Sequence, residues 1–132
     1  MCVFCKIING EIPSFKIYEN DYVMCCLDIN ASTEGHTLIV PKKHFDNIFD
    51  IDDSYACEII KAVKYIANLL KEKLGVSAVN IINNSGSLAG QTVMHFHIHV
   101  IPRYENDGVV ISPKQTEPDF DKLKLVLEKI TN

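Results

Sequence analysis

No apolar run in the 132 residues approaches the roughly 20 that a bilayer-spanning helix needs. The opening Met1-Cys2-Val3-Phe4-Cys5-Lys6 also lacks the charged-then-apolar layout of an export signal. A helical membrane protein is thereby excluded, and a cytoplasmic chain with no membrane partner is expected. Positive charge is in short supply as well, since 13 Lys and Arg against 17 Asp and Glu leave a formal charge of −4. That removes the broad attraction by which basic proteins hold nucleic-acid backbones. No nucleic-acid partner is expected, and any phosphate must be held by donors placed locally. A disulfide framework is missing too: five cysteines are an odd number, and nothing suggests secretion. Internal repeats and low-complexity tracts are absent, which leaves one compact domain over 1–132, about the length that one hydrophobic core supports.

What is present divides by period. Phe4 to Asn9 suit one or two helical turns closed by Gly10, and Pro13 then forces extended chain. Phe15 to Glu19 and Tyr22 to Asp28 are β-rich runs around Asn20-Asp21, the pattern of an antiparallel hairpin. His36 to Val40, stopped by Pro41, is a third strand. From Asp53 onward Ile59, Val63, Ile66, Leu70 and Leu74 recur every three or four positions, with Lys61, Lys64, Lys71 and Glu72 between them. This predicts one long amphipathic helix, capped by Asp52, Asp53 or Ser54 and stopped by Gly75. Val76 to Ile82 and Thr92 to Ile101 predict two more strands, joined by a polar, glycine-bearing loop from Asn83 to Gln91. Phe120, Leu123, Leu127 and Ile130 predict a short C-terminal helix. Strands in hairpin order, a long helix and two further strands describe an α+β domain with a largely antiparallel sheet covered by a helix. Cys25, Cys26 and Cys57 fall within these elements and read as ordinary structural thiols.

Three of the five histidines alternate in His95-Phe96-His97-Ile98-His99. In a strand, alternate side chains share a face, so the three imidazoles would line one side of the sheet. A single metal ion held by all three is the first rival to a catalytic reading. Alternate positions stand roughly 6.6 Å apart and the outer pair roughly 13 Å, whereas one ion with bonds of about 2 Å reaches only neighbours. The histidines must therefore divide their work. His97 is the candidate nucleophile: a neutral imidazole nitrogen attacks phosphorus to give a phosphoramidate-type intermediate, provided that an acceptor for its other N–H fixes the tautomer. His36, leading a strand expected in the same sheet, is the candidate support for it. The loop just upstream offers donors in Asn84, Gln91 and Thr92, and Gly86 and Gly90 let backbone N–H groups approach an anion closely. Fixed donors of that kind stabilise charge as it develops at phosphorus.

The run from Asn84 through His95-Phe96-His97-Ile98-His99 to Arg103 strongly resembles the histidine triad signature, H-x-H-x-H with apolar residues between. The likeness extends to Leu27-Asp28-Ile29, to Gly35-His36-Thr37-Leu38-Ile39-Val40-Pro41-Lys42-Lys43-His44, and to Phe4-Cys5-Lys6-Ile7-Ile8 with Ile12-Pro13. The resemblance implies a HIT-like fold, an antiparallel five-stranded sheet with one long helix and a short C-terminal helix. It further implies a homodimer whose two sheets join into one. The implied activity is hydrolysis of purine nucleoside phosphoramidates or related nucleotide conjugates at the α-phosphate, through a nucleotidyl-histidine on His97. By the same resemblance His99 holds the phosphate and assists the leaving group, and His36 supports the nucleophile. Asn84, Gln91 and Thr92 would contact phosphate, Asp28 the ribose hydroxyls, and Val3, Phe4, Ile7 and Ile29 would form the apolar slot for the base. Cys26 departs from the pattern, because many relatives carry phenylalanine there. Transferase branches tend to carry glutamine in place of the third histidine, so the retained His99 points to a hydrolase. The competing readings are a nucleotide-binding regulatory module with residual hydrolysis, a dinucleoside polyphosphate hydrolase and a metalloenzyme.

Cys2-Val3-Phe4-Cys5 is a C-x-x-C pair, a spacing that lets two thiolates reach one ion. Tetrahedral zinc needs two further ligands. Similarity to bacterial histidine triad proteins that carry C-x-x-C with a distal histidine pair implies a structural zinc on Cys2, Cys5, His44 and His95, with no cofactor for catalysis itself. The competing reading leaves both thiols unmetallated and His95 buried and hydrogen-bonded. Lys42 and Lys43 read as solvated, and Asp50-Ile51-Asp52-Asp53 as a helix start with favourable dipole placement.

Overall fold

The Asn20 side chain accepts from the backbone N–H groups of Tyr22 and Val23 (2.8 and 2.9 Å) and closes the turn between strands β1 (Lys16–Glu19) and β2 (Val23–Leu27). These features belong to a computed structural model that describes residues 1–132. Strands β3 (Thr37–Pro41), β4 (Val79–Ile82) and β5 (Ile98–Pro102) complete a five-stranded sheet of order β1-β2-β3-β5-β4, antiparallel at every pairing. Three helices accompany it: α1 (Val3–Ile8), α2 (Asp53–Leu74) and α3 (Phe120–Thr131). The architecture is the α+β arrangement that the order of patterns predicted.

Period-two alternation divides the sheet's side chains between two cores. Val23, Cys25, Ile39, Ile98 and Val100 pack against Ile59, Val63, Ile66 and Leu70 of α2. On the opposite face Met24, Cys26, Leu38 and Val40 pack under Phe4 of α1. That second face carries the site. Burial pushes the Cys25 thiol up to about 12 and the Cys26 thiol up to about 11, so neither offers a thiolate.

The strand expected from Thr92 begins only at Ile98. Residues upstream direct their polar groups to the end of β3 and the loop after it instead of to a strand ladder. Phe96 N–H donates to Phe45 O (2.7 Å), the His95 ring donates to Pro41 O (2.9 Å), and Gln91 Nε2 donates to Asp46 O (2.6 Å). His95 thus lies ahead of the paired part of the strand, with its ring tied to Pro41 O.

Gly35 sets the entry to β3. It sits at φ +89°, and a Cβ there would stand 2.6 Å from Leu74 Cδ1 and 3.3 Å from Pro102 Cγ. Gly35→Ala should therefore destabilise the protein by about 2 kcal/mol, combining a left-handed backbone with crowding against α2. Urea unfolding measures it, and an unchanged midpoint would contradict this account.

The two edges of the sheet differ. β1 carries Lys16 and Glu19, with a register shift between Lys16 and Tyr18, features that discourage further strand addition. β4 is Val79-Asn80-Ile81-Ile82, uncharged, with Ile81 exposed. Beyond the sheet, α3 forms where its amphipathic pattern predicts, yet none of its residues is buried, and Phe120, Leu123, Leu127 and Ile130 face solvent in the single chain.

Candidate functional site

A cavity of about 370 Å³, within the range of small-molecule sites, opens between α1 and the sheet face beneath it. Apolar residues from α1 and from β2 and β3 form one end: Val3, Phe4, Ile7, Cys26 and Leu38. Asp28, Thr92, His97 and His99 supply polar groups. Pairing brings several of these together, since β3 joins β2 through Leu38 and Cys26 and joins β5 through Leu38 and His99. Val3, Phe4, Ile7, Asp28, Ile29, Thr92, His97 and His99, all named from the sequence, line this one cavity. Leu38, Ile12, Pro13, Ser14, Asn30 and Val93 also line it, beyond the site residues that the sequence identifies. Leu38 was within reach of sequence reasoning, because it shares a strand face with His36.

Backbone carbonyls only accept hydrogen bonds, and that rule assigns the imidazole tautomers. His97 Nδ1 lies 2.8 Å from His95 O, so Nδ1 carries the proton and the Nε2 lone pair is free. The support for the nucleophile is thus a carbonyl two residues away. His36 serves the other histidine. Its Nδ1 accepts from Ser32 N–H (3.0 Å), so its Nε2 carries the proton and donates to His99 Nδ1 (2.9 Å). His99 in turn keeps its proton on Nε2. Asp28 Oδ2 lies 3.5 Å from His36 Nε2 and 4.0 Å from His99 Nδ1. Asp28, His36 and His99 bring their ligand atoms within 4.8 Å of one another. An ion there would compete with the His36 to His99 hydrogen bond; Ser32 N–H, His36 and His99 form a hydrogen-bonded chain with the Asp28 carboxylate beside it.

Burial, then the neighbouring His97 and His36 imidazoles, push His99 down to about 4, with Asp28 acting in the opposite sense. Burial lowers His36 as well, again opposed by Asp28. Both rings are neutral in the folded protein near pH 7. As pH falls below the ordinary value of 6.5, the unfolded chain takes up these protons first. The stabilisation is therefore complete above that value and lost as pH falls toward 4. For His99 it amounts to on the order of 3 kcal/mol. Urea midpoints across this range should fall with pH, and His99→Gln should flatten the slope; an unaltered slope in that variant would count against the assignment.

Two expected phosphate contacts are placed elsewhere. Gln91 is buried, its Nε2 donates to both Asp46 O and Val93 O, and its Oε1 accepts from Gly86 N–H. Both amide hydrogens are thus committed to shaping the loop. Asn84 is half-buried beside Gly90 and is outside the residues lining the cavity. The Gly86 and Gly90 amides are also used within the loop, the latter donating to Ser87 O.

Cys2, Cys5, His44 and His95 converge at a second place, on the other side of Phe4. Their Sγ and Nδ1 atoms stand 3.0 to 3.7 Å apart along all six edges. A zinc tetrahedron with bonds of about 2.0–2.3 Å has edges of about 3.3–3.8 Å, so the four donors have nearly that spacing. Each imidazole donates its other N–H outward, His95 Nε2 to Pro41 O and His44 Nε2 to Asp46 Oδ1, both at 2.9 Å. Both Nδ1 lone pairs consequently face the cluster, the orientation that metal-ligating histidines take.

The HIT domain family profile matches residues 9–106. The chain belongs to the HIT domain family. A HIT-like protein of Methanocaldococcus jannaschii is 53% identical over 111 residues, 84% of this chain and 85% of that protein. The adenosine 5′-monophosphoramidase HNT1 of Saccharomyces cerevisiae is 42% identical over 123 residues, 92% of this chain and 75% of that protein. Among solved structures, a Streptococcus mutans protein superposes with a TM-score of 0.93 at 42% identity, covering 98% of this chain and 82% of that one. A zinc-bound histidine triad protein from Mycobacterium smegmatis gives 0.79 at 34% identity, covering 98% of this chain and 94% of that one.

Proposed function

We propose that this HIT protein hydrolyses purine nucleoside phosphoramidates or related nucleotide conjugates at the α-phosphate. The observation that carries the reading is the His97 imidazole, held by His95 O with Nε2 free, on a cavity that it shares with His99. The activity of the yeast relative supports the substrate class. In the first step a bond forms between His97 Nε2 and phosphorus while the bond to the leaving nitrogen breaks. His99, whose Nδ1 accepts from His36, directs its Nε2–H at the phosphate and the leaving nitrogen, which departs as the neutral amine with a proton taken from solvent. Water then attacks phosphorus as the bond to His97 Nε2 breaks, the water's proton passes to solvent, and the nucleoside monophosphate is released. Asp28 lies where ribose hydroxyls can donate to it, Thr92 offers a hydroxyl to phosphate, and the apolar end takes the base. Incubation with adenosine 5′-phosphoramidate should yield adenosine monophosphate and ammonia; absence of product sinks the reading.

Zinc on Cys2, Cys5, His44 and His95 is part of the same proposal, supported by the donor spacing and the zinc-bound relative. With four protein ligands it would have no open position, so its contribution there is cross-linking the chain. A homodimer joined through β4 is proposed from the unprotected edge. Ile81→Lys should shift the protein toward monomer in light scattering, and an undisturbed dimer would argue against that edge. No helix is long and apolar enough to cross a membrane, which fits the cytoplasmic location proposed.

A further inference from the structure

The cysteine–histidine cluster and the cavity share a wall. Between Cys2, the N-cap of α1, and Cys5 within it stands Phe4, buried, with its ring centroid 5.7 Å from that of His95 and 5.1 Å from that of His97. His95 is a cluster member through Nδ1, and its carbonyl holds the His97 Nδ1 proton. Val3, Phe4 and Ile7 of α1 line the cavity. Two short paths thus run from the four ligand residues to the site, one through the Phe4 ring and one through the His95 backbone.

We propose that Phe4 and His95 are positioning residues that make nucleotide affinity and the setting of His97 depend on metal occupancy of the Cys2, Cys5, His44 and His95 cluster. The proposal rests on the cavity being the nucleotide site. The physical reason is that α1 cannot hold itself. It spans six residues, whereas isolated helices shorter than about 12–15 residues are marginal in water. Its N-cap is the Cys2 thiol, which accepts from Cys5 N–H at 3.3 Å, so its cap and its second cluster residue both belong to the quartet. Phe4 is its one buried side chain. Released from His44 and His95, the two cysteines no longer fix α1 against the sheet. The cavity then loses Val3, Phe4 and Ile7 together, and the His95 and His97 rings lose their common neighbour. If α1 is ordered in only a tenth of the metal-free molecules, apparent affinity falls about tenfold.

The experiment compares zinc-loaded protein, protein stripped with a chelator, and stripped protein given zinc back. Adenosine monophosphate affinity is read by calorimetry, amide exchange by mass spectrometry over residues 3–8, and the His97 tautomer by long-range imidazole nitrogen–proton spectra without nucleotide. Stripping should weaken affinity about tenfold or more, speed exchange of residues 3–8 and alter the His97 signals, all reversed by zinc. Unchanged affinity together with unchanged His97 signals overturns the proposal. Should loaded protein fail to bind adenosine monophosphate, the nucleotide reading falls, and the His97 spectrum alone decides the coupling. Phe4→Leu in zinc-loaded protein provides a route that does not depend on stripping. Zinc content should hold while affinity drops and the His97 signals shift, and wild-type values for both would overturn the Phe4 path.

Discussion

Replacing His97 with alanine is expected to lower turnover of adenosine 5′-phosphoramidate by about 10⁴-fold or more while the protein stays folded. The size follows from losing the atom that would bond to phosphorus, a loss that neighbouring hydrogen bonds cannot offset. Folding should survive because His97 borders the cavity, so truncation enlarges space already open to solvent. Binding of adenosine monophosphate should change far less than turnover, since the apolar wall and Asp28 remain. Wild-type protein quenched during turnover should carry an adenylate-sized mass on the peptide containing His97. Turnover by His97→Ala within tenfold of wild type would rule out His97 as nucleophile.

The second large effect is on stability. Chelating zinc should lower the melting temperature by on the order of 10 °C or more. At free zinc about a thousand times its dissociation constant, binding to the folded state contributes about 4 kcal/mol. Each kcal/mol is worth a few degrees for a chain of this size. Buried His95, with Nε2 on Pro41 O and Nδ1 on the cluster, ties α1 to the strand end at β3. His95→Ala should therefore lose the metal and melt early. Stoichiometric zinc in that variant, measured by elemental analysis, would contradict the ligand set.

Elements governed by local period were legible in the sequence. The α2 helix runs from Asp53 to Leu74, ending at Gly75 in the left-handed conformation, because its apolar spacing and its stop signal lie in neighbouring residues. The hairpin at Asn20 was legible for the same reason. The start of β5 was not, because whether residues 92–97 pair as a strand depends on where the 41–46 loop lies. His36 leads the strand that the pattern predicts, but its ring meets His99 and not His97. Its partner is set by the register of β3 on β5 and by Ser32 N–H, neither of which a linear pattern encodes. Gln91 has the chemistry of a phosphate donor, yet three hydrogen bonds absorb its amide, and only the folded loop reveals them. The quartet is the opposite case. Residues up to 93 positions apart meet with ligand spacing, as the motif resemblance implied.

The distribution of thiols has a practical corollary. Cys25 and Cys26 lie in the sheet's two cores with their protons firmly held, whereas Cys57 on α2 is exposed. With a metal on Cys2 and Cys5, maleimide chemistry narrows to a single atom per chain, Cys57 Sγ. A dye or spin label attached there would report on a dimer by the distance between two copies of one reporter, with every native cysteine left in place.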